Sequence, residues 1–392
     1  MRILQIIPSI SLVYGGPSQM VLGLSAALAF RGIDVTIITT DSNGDIGQIP
    51  LDVPLNQPLQ QNGYQIIYFR CSPFRRYKFS LSLLQWLNEN ARQFDLAHIH
   101  ALFSPVTTFA ATIARYHHLP YIIRPCGMLD PADLQKKKRL KQIYATLLER
   151  PNLAGAAAIH FTSKEEAKIS ERFGLGSTGK TPVPRDLVIP LGVTGGLLPK
   201  RLRESQVPII LFMSRIEPKK GLDLLIPALE SILGSGIEFH FILAGSNPQD
   251  ADYETQIKLQ IQNSSLAKYT TITGFVSGDL KVELLTKADL FVLPSYYENF
   301  GIAVAEAMAA GVPVAISDRI HIAEDIQQAE AGWVGPLEVG AIANSIKSAL
   351  LNPQERQRRG LNGQEYARKH YNWEAIAQQT IDAYQEILSS IN

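Results

Sequence analysis

Short runs rich in Ile, Val, Leu and Phe alternate with helix-period segments along nearly the whole chain, and that rhythm admits few folds. A strand, a helix and a second strand return the chain to one sheet in parallel, so the pattern predicts an α/β architecture. In the first half, strands are expected at residues 3–7, 35–39, 65–69, 96–99, 121–123, 159–162 and 188–189. Several are apolar at every position, as strands covered by helices on both faces must be. After LGVTGGLLPKRLRESQVP the rhythm restarts, with strands expected at 209–213, 239–244, 270–273, 290–293 and 314–316. A Gly/Pro/Arg-rich linker near 192–207 therefore separates two doubly wound domains. Such sheets bind ligands at the carboxyl ends of their strands, which places the expected chemistry in a cleft between the domains.

Composition excludes other classes. A chain of 392 residues, 46% hydrophobic and 19% charged, needs more than one core. Two cysteines, Cys71 and Cys126, cannot build a disulfide framework, and MRILQIIPSI is too short and interrupted for a secretory segment. No window approaches 18 uninterrupted apolar residues, so a cytoplasmic protein is expected, with surface attachment to a membrane left open. Residues 1–190 hold 20 Lys and Arg against 13 Asp and Glu, and the remainder 17 against 23. The basic first half either meets an anionic partner or scatters surface charge by chance.

Three segments carry chemistry. Gly15 and Gly16 follow the first strand and precede a helix, so the backbone can approach a ligand and Ser18 or a neighbour can open the helix toward an anion. Arg215 and Lys220 lie in a turn directly after the strand IILFMS, where fixed cations suit a departing diphosphate or make an ordinary basic turn. In ADLFVLPSYYENFGIAVAEAMAAGVPVAISD a buried strand delivers Glu298 to the sheet rim, and Phe300-Gly301 starts an apolar helix whose first amides suit an anion. Glu306 lies within that helix among Ala, Val and Met, and a buried carboxylate there needs a hydrogen-bonding partner. Ribose hydroxyls would serve, and so would a backbone amide or an Arg.

Together these segments resemble the GT-B fold glycosyltransferases, and within them the retaining nucleotide-sugar enzymes of glycosyltransferase family 4. The likeness runs over nearly the whole length: the glycine turn, the R-x4-K-G turn from Arg215 to Gly221, the E-x7-E segment from Glu298 to Glu306 with EAMAAGVPV, and the closing Tyr371-Asn372-Trp373. It implies two Rossmann-like domains facing a central cleft: an acceptor domain at 1–192, joined by a crossover helix at 373–392, and a donor domain at 193–372. By analogy Glu298 holds the donor sugar, Glu306 the ribose, and Arg215 and Lys220 the phosphates, so that Arg215, Lys220 and Glu298 are the catalytic set. Asn299, Phe300 and Gly301 offer amides to sugar and phosphate. Gly274, Phe275 and Val276 lie against the base, whose edges could be uracil or guanine, and Gly15 and Gly16 against diphosphate and acceptor. The implied activity is transfer of a hexose, glucose, from UDP-glucose to a saccharide or lipid-linked saccharide in surface polysaccharide synthesis, without metal or other cofactor.

One departure stands out. Many relatives carry His-Gly at the end of the strand that reads YIIRPCGMLDP here, where this chain has Cys126-Gly127. Two readings stay open: an active variant in which Arg124 contacts sugar or phosphate, or a nucleotide-sugar-binding protein that has lost catalysis. His98 and His100 share one strand face, which is too few ligands for zinc, and His100 is expected to line the acceptor side. Asp250 and Asp252 spell DxD in a Pro-containing loop and are read as surface. In residues 134–148, Leu140, Ile143, Tyr144, Leu147 and Leu148 form a helical stripe behind five cations, with Arg75, Arg76 and Lys78 elsewhere. That helix either rests peripherally on anionic lipid at the inner face of a membrane or is an ordinary surface helix.

Overall fold

The computed structural model describes residues 1–44, 48–73, 78–134, 142–175, 184–193 and 207–391. Arg75, Arg76, most of the linker, and Leu140 with the basic run around it lie outside the described residues. The chain divides into two compact units, Met1–Gly192 with Trp373–Asn392, and Val193–Asn372.

In the first unit eight strands line up as β3-β4-β2-β1-β5-β6-β7-β8. They are β1 (Arg2–Ile6), β2 (Asp34–Thr40), β3 (Pro58–Gln61), β4 (Tyr64–Phe69), β5 (Leu96–His100), β6 (Tyr121–Arg124), β7 (Ala158–Phe161) and β8 (Arg185–Val188). All pair in parallel except β3, which runs antiparallel to β4. That hairpin was not expected, because PLQQ is exposed along its length. Its signal was the dipeptide Asn62-Gly63, whose positive φ angles of 47° and 85° make the tight two-residue turn. Strand β8 starts three residues earlier than expected and ends one earlier, since at a sheet edge only Leu187 of its four residues is buried.

The second unit has the order β11-β10-β9-β12-β13-β14, all parallel. Its strands are β9 (Ile209–Met213), β10 (His240–Ala244), β11 (Thr270–Gly274), β12 (Leu290–Leu293), β13 (Val314–Ser317) and β14 (Gly332–Gly335). Strand β14 was missed because its four residues, GWVG, begin and end on glycine. Phe212, Phe241, Phe291, Val304 and Met308 are wholly buried between sheet and helices. The chain leaves β1 toward β2 on one side and β5 on the other, and it leaves β9 toward β10 and β12. Each sheet thus has a switch point where loops diverge and a ligand can enter.

The last helix, Trp373–Ile391, packs on the first unit through Ile376, Ala377, Ile381, Tyr384 and Ile387. The Trp373 indole fills the space where side chains at Gly23 and Gly192 would stand. Arg31 adds an ion pair to Glu374 at 3.0 Å. Tyr384 then joins a polar network buried under the sheet's carboxyl end. Its hydroxyl lies 2.8 Å from His98 Nδ1 and accepts from Gln5 Nε2 at 3.2 Å. His160 Nδ1 lies 3.2 Å from His98 Nε2, His160 Nε2 donates to the Ile189 carbonyl at 2.9 Å, and His100 Nε2 lies 2.6 Å from Gln5 Oε1.

Burial pushes all three imidazoles toward the neutral form, His160 to about 3, and the Arg124 guanidinium reinforces it. In the unfolded chain they titrate near 6.5, so below that pH the unfolded state takes up protons that the folded state refuses. Stability present at neutral pH is therefore lost as pH falls through about 6.5, by up to about 1.4 kcal/mol per pH unit for each histidine. Urea-unfolding midpoints at pH 7.5, 6.5 and 5.5 should decline in that order, and a flat series would contradict the network. Separately, Gly23→Leu should displace the Trp373 indole and cost about 1–3 kcal/mol by overpacking. An unchanged melting temperature would remove the indole as the helix's anchor.

Candidate functional site

The residues expected on the donor side are built at the switch point of the second sheet. After β9, Ser214 N–H donates to the Ala244 carbonyl at 3.1 Å, and the chain reaches Arg215 and the 3-10 turn Pro218–Lys220. Gly221 closes the turn with φ of 73°, a conformation glycine takes without strain, and any Cβ there would run into the Pro294 carbonyl. Tyr296 N–H donates to the Lys219 carbonyl at 2.8 Å, so the turn is fastened to the loop that follows β12. This backbone contact presses Lys220 inward until it is 7% exposed.

Lys220 Nζ donates to Glu298 Oε1, forming a buried ion pair across the two strand ends. Burial lowers the Lys220 pKa, the Glu298 charge opposes that, and Lys219 adds repulsion, leaving it below the ordinary lysine value. Burial raises the Glu298 carboxyl, but the Lys220, Lys219 and Arg215 cations outweigh it and hold Glu298 below the usual carboxylate range. The Glu298 backbone is held by the segment after β13: its N–H donates to the Arg319 carbonyl at 3.4 Å, and its carbonyl accepts from His321 N–H at 3.1 Å. Arg215 joins through Glu217, whose Oε1 lies 3.2 Å from Arg215 Nη2 and 3.9 Å from Lys220 Nζ. Three of the four expected charged residues therefore converge.

Glu306 is placed differently. It sits on the helix Ile302–Ala309, capped by Gly301 with φ of 79°, and Lys281 Nζ meets its Oε1 at 2.5 Å. The sequence reading asked for a ribose, an amide or an Arg; the partner present is a lysine from the helix Gly278–Lys287, which nothing in local spacing revealed. Among the described residues no contact links Glu306 to the Lys220–Glu298 pair. Phe300 is buried against Tyr371, ring centroids 5.2 Å apart, so only its backbone can face a ligand. Asn299 is half-buried beside it. In the first turn of this helix Val304 N–H donates to the Gly301 carbonyl at 2.8 Å, and no acid there offsets the partial positive charge of the helix start. Gly274 ends the edge strand β11 with φ of 74°, followed by exposed Phe275 and buried Val276.

In the first unit, Gly15 has φ of 72° and caps the helix Gly16–Phe30. Ser18 does not open that helix: it is buried and its hydroxyl donates back to the Ser11 carbonyl at 2.8 Å. The acceptor-side expectation is also corrected. His100 is wholly buried in the network beneath Gln5, and Arg124 is 2% exposed with Met20 Sδ as the acceptor of its Nη1, so neither forms an open surface. Arg124 is buried against Met20 of the first helix and His100 against Gln5 and His98, facts of packing that strand spacing alone does not show. Cys126 remains half-buried at the strand end in a left-handed conformation, φ 55°, and burial raises its thiol pKa. Ala101 and Phe103, at φ of 78° and 55° after β5, were not foreseen as site residues. Left-handed non-glycine backbone thus occurs at the ends of two neighbouring strands, β5 and β6. Asp250 of the DxD caps the helix Ala251–Gln262, accepting from Tyr253 N–H at 3.3 Å.

Comparisons with known proteins agree with this architecture. A family profile described as "Glycosyl transferases group 1" matches residues 198–366, and one described as "Glycosyl transferase 4-like domain" matches residues 15–186. An uncharacterised glycosyltransferase of Methanocaldococcus jannaschii is 34% identical over 180 residues. That match takes in 45% of this chain and 44% of the relative, so it spans under half of that protein. The phosphatidyl-myo-inositol mannosyltransferase of Mycobacterium leprae is 24% identical over 419 residues, covering 100% of this chain and 98% of the relative. Among solved structures, Anabaena HepE in complex with UDP-glucose superposes with a TM-score of 0.73 at 20% identity, over 100% of both chains, which shows a shared fold. With matched profiles on both units and two Rossmann-like sheets, the chain belongs to the group 1 glycosyl transferases and has the GT-B fold.

Proposed function

We propose that the chain is a retaining hexosyltransferase that moves glucose from UDP-glucose to a saccharide or lipid-linked saccharide acceptor in surface polysaccharide synthesis. The observation that carries this reading is the buried Lys220–Glu298 pair with Arg215 beside it at the ends of β9 and β12. When a nucleoside diphosphate departs, negative charge grows on the leaving oxygen. Lys220, fixed by Glu298 and largely withdrawn from water, and Arg215, held by Glu217 though more exposed, stabilise that charge with little reorganisation at the moment of reaction. Glu298, kept ionised by its cations, accepts hydrogen bonds from the donor sugar's hydroxyls and orients the ring.

Backbone N–H groups of Asn299, Phe300 and Gly301 complete the sugar and phosphate contacts. Glu306 takes the ribose hydroxyls, with Lys281 holding one of its oxygens. Gly274, Phe275 and Val276 border the base. With two permanent cations at the leaving group, the reading needs no divalent metal. UDP-glucose is favoured because HepE, of like fold, was solved with it. On the first unit the Gly15-Gly16 turn, Cys126 and the strained 101–103 loop supply the acceptor side. Ile143 and Leu147 are 59% and 68% exposed and adjoin the basic run at 136–141, which favours work in the cytoplasm at the inner face of an anionic membrane. No helix among the described residues is long and apolar enough to cross one.

Lys220→Ala should lower the rate of UDP-glucose turnover by about 10²–10³-fold, or ~2.7–4 kcal/mol at the transition state. Unchanged turnover in a folded variant would strip Lys220 of its role. Glu306→Ala should weaken UDP binding about tenfold, roughly 1.4 kcal/mol, in titration calorimetry. Wild-type affinity in that variant would argue against a ribose contact.

A further inference from the structure

Glu217 has no part in the reaction described above, yet it occupies the centre of the phosphate-facing turn. Its backbone is extended, with φ of −140° and ψ of 152°, and although it stands at the cap position its side chain makes no capping hydrogen bond. The turn closes through main chain instead: Lys220 N–H donates to the Glu217 carbonyl at 3.0 Å and Gly221 N–H to the Pro218 carbonyl at 3.3 Å. The carboxylate is left facing cations. Its Oε1 lies 3.2 Å from Arg215 Nη2, 3.5 Å from Lys219 Nζ and 3.9 Å from Lys220 Nζ, and the side chain is 16% exposed.

We propose that Glu217 is the internal counter-ion of the diphosphate subsite: it gathers Arg215, Lys219 and Lys220 while the subsite is empty and competes for them when a diphosphate is bound. The inference rests on the donor reading given under Proposed function. The cluster holds three cations against two carboxylates, Glu217 and Glu298, so removing one carboxylate's charge raises its net charge from +1 to +2. At these distances and this degree of burial, charges interact far more strongly than in bulk water. Glu217 therefore weakens the ground-state grip on the diphosphate and helps the product leave, because it reclaims the cations as the phosphates withdraw. It acts on the substrate only through those cations and is a positioning residue.

UDP titration calorimetry on the full chain, with steady-state kinetics on UDP-glucose, tests this with E217Q and E217A, and E217D as the charge-retaining control. E217Q and E217A should each bind UDP about tenfold more tightly than wild type, with KM and kcat both lowered, and E217D should return to wild-type affinity. A purely structural role would move these quantities the other way, weakening UDP binding alongside the melting temperature. If E217Q does not fold, E217A carries the comparison. Wild-type UDP binding with no tightening in a folded variant would overturn the counter-ion inference alone. Failure of the wild type to bind any nucleoside diphosphate would overturn the donor reading and this inference with it.

Discussion

The close approach of two backbones, Gly221 to the Pro294 carbonyl, is the constraint on which the charged cluster of the second unit depends. It brings the turn after β9 against the loop after β12, and only a residue without Cβ permits it. Lys220 is forced inward as a consequence, and an ammonium so placed is destabilising unless a carboxylate meets it. Glu298 does so, held from behind by main-chain bonds to the segment after β13. The pair is thus a product of packing at a switch point, where two loops leave neighbouring strands in opposite directions.

Such a pair is weak evidence of stability, since taking both charges out of water costs about as much as their attraction returns. Its value is positional. The carboxylate stays ionised, the ammonium is fixed, and Arg215 and Lys219 stand close enough to influence both. The first unit differs: toward its strand ends the buried histidines are kept neutral and hydrogen-bonded to one another and to Tyr384, and Ala101, Phe103 and Cys126 take left-handed backbone just beyond the strands. Tyr384 ties the terminal helix into that neutral network, so the final segment is held by polar bonds as well as by the Trp373 indole.

Much of the fold was legible because buried parallel strands write themselves as unbroken apolar runs. The exceptions share a physical reason. Strands β3 and β14 bury little, so hydrophobic pattern is silent there, and only the Asn62-Gly63 turn signalled the former. At the site, Arg215, Lys220, Glu298 and Gly301 stand at strand ends or helix starts, places that can be read from local order. Lys281 could not be read so, because it meets Glu306 across 25 residues of sequence; Glu217 has its three cations within three residues, but only the shape of the turn shows that they converge on it. His100 and Arg124 were assigned to an open face because strand spacing says which residues share a side, not how much packing covers it.

By itself the sequence determined the two α/β units, the strands at their centres and the glycines at their turns, since these follow from local periodicity and from conformations only certain residues adopt. Tertiary structure alone decided which charges meet. Ion pairs such as Lys220 with Glu298 and Lys281 with Glu306 depend on distances across the sheet and on how far each group is withdrawn from water. Neither quantity is carried by the order of residues along the chain.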